Sequence, residues 1–170
     1  MNRVVITGAG VVSSLGKDLS SNFNSLSEGK NGIGPIDFLN AERLSVRIGG
    51  QIHNFNPHNH FSKQENAIYD KFTQFALIAT KQAVSSSGIE FKEKDSSKIG
   101  VILGTAGGGL QTQDENYRQV YEEGKNRVHP LIVPKLMNNA AASNVSIKFN
   151  AQGPCFTIAS ACSSSNHAMG

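Results

Sequence analysis

The pattern of apolar and polar positions divides the chain into alternating strand-like and helix-like segments. Apolar and β-branched runs predict buried strands at Arg3 to Thr7 and in "KIGVILGT", and a third strand from Cys155 to Ala159. Helical spacing of apolar residues predicts three helices: one capped by Asp18 and ending before Gly29, one from Ile68 to Gly88, and one opened by Pro134. This alternation is typical of an α/β domain with parallel strands.

Between Lys30 and about Phe61 the composition shifts to glycine, asparagine, proline and histidine. Only "SVRIGGQI" is strand-like in this stretch, so we expect a long surface excursion. A chain of 170 residues with 38% hydrophobic content is long enough for one domain with a core of its own.

Charge and composition exclude several classes of function. The 16 basic and 13 acidic residues are scattered along the chain and give a net charge of +3. The sequence has no basic run of the kind that binds nucleic acid. The segment "MNRVVITGAGVV" is too short for a signal-peptide core, and no stretch is apolar enough to span a bilayer. We therefore expect a cytoplasmic protein that binds neither nucleic acid nor membrane.

The two cysteines, Cys155 and Cys162, are seven positions apart, which matches neither a disulfide framework nor the spacing of a metal site. They are interpreted as free thiols, and no metal is expected. Two glycine-rich stretches also lack the partners that a nucleotide site requires. "VVITGAGVVSSLG" has Ser13 where a dinucleotide fingerprint needs its third glycine, and "GTAGGG" is not followed by the Lys-Ser/Thr of a phosphate loop. Close backbone packing is the better interpretation of both, and no cofactor is expected.

The stretch "FTIASACSSSNHAMG" is the strongest chemical signal in the sequence. Cys162 follows an apolar run and precedes small polar residues that favour the start of a helix. The unpaired N–H groups of a helix N-terminus favour a thiolate and can hold an oxyanion, so Cys162 is the candidate nucleophile. Cys155 lies in an extended stretch without such surroundings and is interpreted as structural. His167, five residues after Cys162, would lie about 140° away around a helix, so it is not expected to be the base.

Three segments in this order, "VVITGAGVVSSLG", "IGVILGTAGGG" and "VPKLMNNAAASNVSIKFNAQGPCFTIASACSSSNHAMG", resemble the N-terminal half of a β-ketoacyl-[acyl carrier protein] synthase, and the resemblance covers residues 1–170. It implies an α/β, thiolase-like fold, of which this chain would be the N-terminal half of an αβαβα layered architecture. It also implies that the chain is a fragment, inactive alone, because the two histidines and the lysine that serve condensation in the family come later in the sequence.

The resemblance further implies roles for particular residues. Cys162 would carry the acyl chain as a thioester for condensation with a malonyl-[acyl carrier protein] unit. The acyl pocket would be lined by Gly107, Ala161 and, across a homodimer interface, by Ile132 and Val133. Gly107 stands where elongating members often have a bulky aliphatic gate, which indicates a more open pocket.

The expected partners are acyl and malonyl thioesters and an acyl carrier protein. The segment "SKQENAIYDKF", Ser62 to Phe72, matches the carrier-docking region of the family but has Gln64, Ala67 and Ile68 at positions that carry basic residues there. Two alternatives stay open: a thiolase-like cysteine acyltransferase, and a non-catalytic partner subunit that shapes the chain cavity of a ketosynthase pair.

Overall fold

A computed structural model describes residues 3–170 as two compact units. One unit comprises the described residues up to Asn56 together with Ile78–Ile89, and the other comprises Pro57–Leu77 and Glu90–Gly170. The helices and strands, in chain order, are α1 (Leu19–Ser27), β1 (Gly34–Pro35), β2 (Ile48–Gly49), α2 (Lys63–Ile68), α3 (Lys71–Ser87), β3 (Val101–Gly104), α4 (Leu110–Tyr121), α5 (Ile132–Leu136), α6 (Ala140–Phe149), β4 (Cys155–Ile158) and α7 (Ser164–Met169). Short 3₁₀ turns cover Ala41–Arg43, Pro57–Asn59, Glu93–Lys98 and Ala161–Ser163.

The first unit contains the predicted helix after Asp18 and most of the surface excursion. Asp18 caps α1 by accepting a hydrogen bond from the Ser21 N–H, and the chain leaves the helix through Gly29 at φ +66°. The strands of the excursion are the two-residue β1 and β2, which pair antiparallel, and the two 3₁₀ turns Ala41–Arg43 and Pro57–Asn59 also lie in it. The predicted excursion and the predicted helix are therefore confirmed.

The predicted buried strand at Arg3 to Thr7 is wrong. The segment forms no strand, and Val4 is 92% exposed. A strand requires a hydrogen-bonding neighbour, and the described residues pair none with this segment. The glycines that follow have a packing role, because a Cβ on Gly10 would lie 2.0 Å from the Ala79 carbonyl oxygen of α3.

The second unit is built on the parallel pair of β3 and β4. Val101 pairs with Cys155 and the register continues to Gly104 with Ile158, as the α/β pattern predicts. The strands are not buried on both faces as expected, since Ile102 and Phe156 are exposed. Both strands contact α6 and α7, and the core lies mainly on α6 at Ala140, Ala141, Ala142 and Val145.

The helix predicted to open at Pro134 is in fact two helices. Pro134 is the third residue of α5, and the chain becomes extended at Met137 (φ −59°, ψ 142°) before α6 begins. Similarly, α2 ends at Ile68 and α3 begins at Lys71, so the helix predicted to start at Ile68 starts three residues later. In both regions a short extended break separates two helices that share one apolar pattern.

Candidate active site

Cys162 lies in a tight turn between β4 and α7. The chain leaves β4 at Ile158, forms the 3₁₀ turn Ala161–Ser163, and enters α7 at Ser164. Ala161 adopts φ +47°, a left-handed conformation that costs a residue with a Cβ about 1–2 kcal/mol. The structure thus confirms a sharp strand-to-helix turn at Cys162, with a 3₁₀ turn inserted before the helix.

Serine side chains hold this strained turn closed. Ser164 is 2% exposed, and its Oγ accepts the Ser160 N–H at 2.8 Å and donates to the Ala161 carbonyl at 2.7 Å. Ser163 Oγ donates to the Ser160 carbonyl at 2.7 Å. The first backbone N–H of the turn that donates to a backbone carbonyl is that of Ser163, which bonds to Ser160. The Cys162 N–H lies one residue before this bond. Cys162 itself is exposed, and its thiol is free.

The end of β3 packs directly against the start of α7. A Cβ on Gly104 would lie 2.3 Å from the carbonyl carbon of Ser164, so only glycine allows this approach. Thr105 continues the ladder by donating its N–H to the Ile158 carbonyl at 3.0 Å. The cysteine turn and the glycine loop that follows β3 are therefore attached to the same pair of strand ends.

The glycine loop, Thr105 to Gly109, lies between β3 and α4 and packs on α5. Gly108 and Gly109 approach the α5 backbone so closely that a Cβ on Gly108 would meet the Leu136 oxygen at 2.1 Å. The Gly109 N–H also donates to Leu136 at 3.0 Å. By contrast, the atoms nearest to a Cβ on Gly107 would be those of the Leu110 side chain at 3.7 to 3.9 Å, which is ordinary contact distance, so a Cβ fits at this position.

The other predicted site residues lie at the edges of these elements. Ile132 and Val133 are the first two residues of α5; Ile132 is half-buried and Val133 exposed. Ala161 is exposed beside the cysteine. Cys155 opens β4 and is exposed rather than enclosed in a core. His167 lies in α7 and is exposed.

Two residues that position this region carry no chemical motif in the sequence. Ser164 is one of four small polar residues after Cys162, and nothing local distinguishes it as the buried one. Asp70 is 5% exposed and binds the first turn of α4, 42 residues away in the chain. The only sequence signal for Asp70 is an acidic residue before the apolar pattern of α3, which is typical of a helix cap.

An ion pair fixes α2 to α6. The Glu65 carboxylate binds Lys148 Nζ at 2.5 Å and also closes a capping box with Ser62. The hydrogen bond from Lys148, followed by that from the Ser62 backbone, lowers the pKa of Glu65 to about 2. The same hydrogen bond raises the pKa of Lys148. This pair holds the segment that resembles a carrier-docking region.

Neither a metal-binding cluster nor a membrane span is found in the part of the chain that the structure describes. Within residues 3–170, no group of three or more histidine, cysteine or acidic side chains is arranged to hold a metal ion. No helix in that range has the length and apolar character needed to cross a bilayer.

In this α/β structure a parallel strand pair leads to a strained turn that serine side chains close, and the turn carries an exposed cysteine ahead of a helix. The whole chain, residues 1–170, matches the family described as "Beta-ketoacyl synthase, N-terminal domain". The chain therefore belongs to the β-ketoacyl synthase family.

Individual relatives agree with this assignment. The 3-oxoacyl-[acyl-carrier-protein] synthase 2 of Staphylococcus aureus (strain COL) is 35% identical over 168 residues, which cover 99% of this chain and 41% of the relative. A β-ketoacyl synthase structure from Burkholderia phymatum superposes with a TM-score of 0.81 at 22% identity, covering 99% of this chain and 42% of that one. A ketosynthase of a type II PKS, solved with its acyl-carrier protein, gives 0.79 at 16% identity, covering 98% and 44%. The fold is thus the thiolase-like fold of ketosynthases, and the chain spans 41% of the length of the curated relative.

Proposed function

We propose that this chain is the nucleophile-bearing half of a β-ketoacyl-[acyl carrier protein] synthase. The observation that carries the proposal is the turn at Cys162, where an exposed thiol is held at the end of a parallel strand by a left-handed Ala161 and a buried Ser164. Acyl transfer requires an accessible nucleophile and a backbone N–H that can hold the oxyanion, and the Cys162 N–H precedes the first backbone hydrogen bond of this turn.

The proposed reaction has two steps. The Cys162 thiolate attacks the carbonyl of an acyl thioester, a new carbon–sulfur bond forms, and the carrier thiol leaves after taking up a proton. A malonyl thioester then loses carbon dioxide, and its α-carbon attacks the acyl-enzyme carbonyl and expels the Cys162 thiolate. The Cys162 N–H stabilises the oxyanion in each step. By resemblance to the family, the acid and base groups of the second step come from a part of the sequence outside residues 1–170, so residues 1–170 alone should not condense substrates.

The acyl chain would lie along Gly107 and Ala161, with Ile132 and Val133 supplied across a homodimer interface. The glycine at 107 supports a pocket without a gate at this position, because it leaves unfilled a space in which a Cβ would lie at ordinary contact distance, 3.7 to 3.9 Å, from the Leu110 side chain. A bulky residue in that space would shorten the pocket. We therefore propose that this enzyme accepts acyl chains that a gated member excludes.

The test of the acylation step is to incubate the full-length protein with an acyl-carrier thioester and to map the adduct by peptide mass. We expect the adduct on Cys162, loss of the adduct in Cys162→Ser, and no loss in the matched control Cys155→Ser, since both cysteines are exposed. An adduct on Cys155 alone, or no adduct at all, contradicts the proposal. Absence of any adduct would favour the non-catalytic partner subunit.

The proposed carrier partner docks on α2. This helix exposes Lys63, Gln64, Ala67 and Ile68 on one side, with Ile68 41% exposed. By resemblance, Gln64, Ala67 and Ile68 replace three basic residues, which reduces the long-range attraction to an acidic carrier and its salt dependence. We expect kcat/KM with a generic carrier to change little across a salt series, and the double variant Ala67→Arg/Ile68→Lys to restore a steep dependence. A steep dependence in the parent that the double variant leaves unchanged would exclude this docking surface.

The full-length protein is further proposed to act in the cytoplasm as a homodimer. By family resemblance, β4 would pair with its two-fold mate, which would cover an exposed strand that carries Phe156. Light scattering at micromolar concentration should report twice the protomer mass. A monomer at that concentration would contradict the dimer.

A further inference from the structure

We propose that Asp70 is a positioning residue for the glycine loop and, through the loop, a determinant of which acyl chains enter the pocket. Asp70 lies between α2 and α3 and has no part in the chemistry assigned to Cys162. The inferred effect on the acyl pocket rests on the proposed function, whereas the inferred positioning of the glycine loop rests on hydrogen bonds alone.

The helix that follows the glycine loop cannot cap itself. Its N-cap residue is Gly109, which has no side chain to accept the N–H of the third helical residue, Thr112. No larger residue fits there, because a Cβ would lie 2.6 Å from the Lys135 oxygen and 2.9 Å from the Leu136 Cα. The close packing of the loop on α5 therefore removes the usual cap of α4.

Asp70 supplies the missing cap from another part of the chain. Its Oδ2 accepts the Thr112 N–H at 2.8 Å and the Thr112 hydroxyl at 2.6 Å, and both bonds are buried. Its Oδ1 accepts the Phe72 N–H in the first turn of α3 at 3.3 Å. One carboxylate thus caps two helices, with one oxygen for each.

These bonds to Asp70 hold the glycine loop at the end that joins α4. The first end is held where Thr105 donates its N–H to Ile158 at the end of β4. Gly107 lies between these two anchors, and the Thr105 hydroxyl donates to its carbonyl at 2.5 Å. Loss of the Asp70 cap would leave the α4 side of the loop supported by its packing on α5, where the Gly109 N–H donates to Leu136, and would make the position of Gly107 less well fixed.

Replacement of the Asp70 carboxylate by an amide tests whether Asp70 caps both helices. The variant Asp70→Asn offers one acceptor oxygen where the carboxylate uses two, so it must leave one helix uncapped. Asp18 provides the matched control, because both bonds from Ser21 to its carboxylate end on the single oxygen Oδ1. Asparagine caps helices about as well as aspartate, so Asp18→Asn should leave the protein almost unchanged.

The first experiment measures hydrogen exchange of the segment from Thr105 to Thr112 in the full-length protein. We expect exchange about tenfold faster in Asp70→Asn than in the parent and in Asp18→Asn, since a buried bond to a charged group is lost. Thr112→Val, which removes only the hydroxyl bond, should give a smaller increase, and Thr112→Ser should restore the parent rate. Equal exchange in Asp70→Asn and Asp18→Asn would overturn the positioning role.

The second experiment measures acylation of Cys162 by short and long acyl thioesters of N-acetylcysteamine, which need no carrier protein. Asp70→Asn should slow the long-chain probe about tenfold and the two-carbon acetyl probe little, because only a long chain reaches Gly107. Equal slowing of both probes would overturn the inferred effect of Asp70 on the acyl pocket. If the parent is not acylated by any probe, the proposed function fails, and the exchange experiment alone decides the role of Asp70.

Discussion

Replacement of Ser164 by alanine removes the side chain that closes the turn around Cys162. Ser164 Oγ makes two hydrogen bonds, one from the Ser160 N–H at 2.8 Å and one to the Ala161 carbonyl at 2.7 Å. Each bond contributes about 1 kcal/mol net. Ser160 and Ala161 are exposed, so water can satisfy the groups that Ser164 releases, and no further penalty for buried unpaired groups is added. The free energy of unfolding should therefore fall by about 2 kcal/mol.

The loss of stability should be seen at the Cys162 turn as well as in the unfolding of the whole protein. The turn holds Ala161 at φ +47° against a cost of about 1–2 kcal/mol, and without Ser164 the chain can relax from this conformation and displace Cys162. Urea unfolding measures the change in stability. Hydrogen exchange of the Ser160 amide measures the loss at the turn, where about 2 kcal/mol corresponds to a roughly 30-fold faster rate.

Ser165→Ala is the matched control, because Ser165 is the neighbouring serine and is exposed. Its free energy of unfolding should lie within about 0.5 kcal/mol of the parent. If Ser164→Ala and Ser165→Ala unfold at the same urea concentration and exchange alike, the two hydrogen bonds do not hold the turn and the reasoning is refuted.

Two further predictions concern the ion pair and the strand end. The pKa of Glu65 is lowered to about 2, so its pairing with Lys148 stabilises the fold above about pH 4.5 and is lost as the pH falls toward 2. Urea unfolding at pH 6 and pH 3 should show a loss of about 1–2 kcal/mol that Glu65→Gln no longer shows; an equal loss in both proteins would contradict this. Gly104→Ala would bring a methyl carbon 2.3 Å from the Ser164 carbonyl carbon, where about 3.5 Å is needed, and should lower the free energy of unfolding by about 3 kcal/mol. Gly34→Ala, with no atom within 4 Å of its added Cβ, should not, and equal effects of the two alanines would count against the close packing.

The features predicted best from the sequence are those that depend on local chemistry. The cap at Asp18, the stop at Gly88 with φ +66°, and the turn after β4 all follow from residues within a few positions of each other. The parallel pairing of β3 with β4 follows from the α/β alternation, since a crossover with helices favours parallel strands. Family resemblance added the proposed pocket residues, which no local pattern identifies and which stay predictions.

The features that the sequence predicted wrongly or did not predict depend on contacts between residues far apart in the chain. The run at Arg3 to Thr7 has the composition of a strand, but composition does not supply a pairing partner. Likewise the apolar residues of α1 have helical spacing, yet Phe23 is 71% exposed while Asn22 is buried. Asp70 was not identified because its contact with Thr112 joins residues 42 positions apart. Periodicity predicts that a face is apolar, and only the tertiary structure says what covers it.

The order of elements also affects how the candidate site forms during folding. The helices α4, α5 and α6 lie in the chain between β3 and β4, whose parallel ladder supports the turn at Cys162. A parallel pair with so long a crossover closes a large loop before any ladder bond forms, so it is slow compared with helix formation. During synthesis the ribosome must release all three helices before β4 can join β3. We therefore expect Cys162 to reach its final geometry late, after the surrounding helices, and a protein trapped during folding to carry an exposed thiol outside its turn.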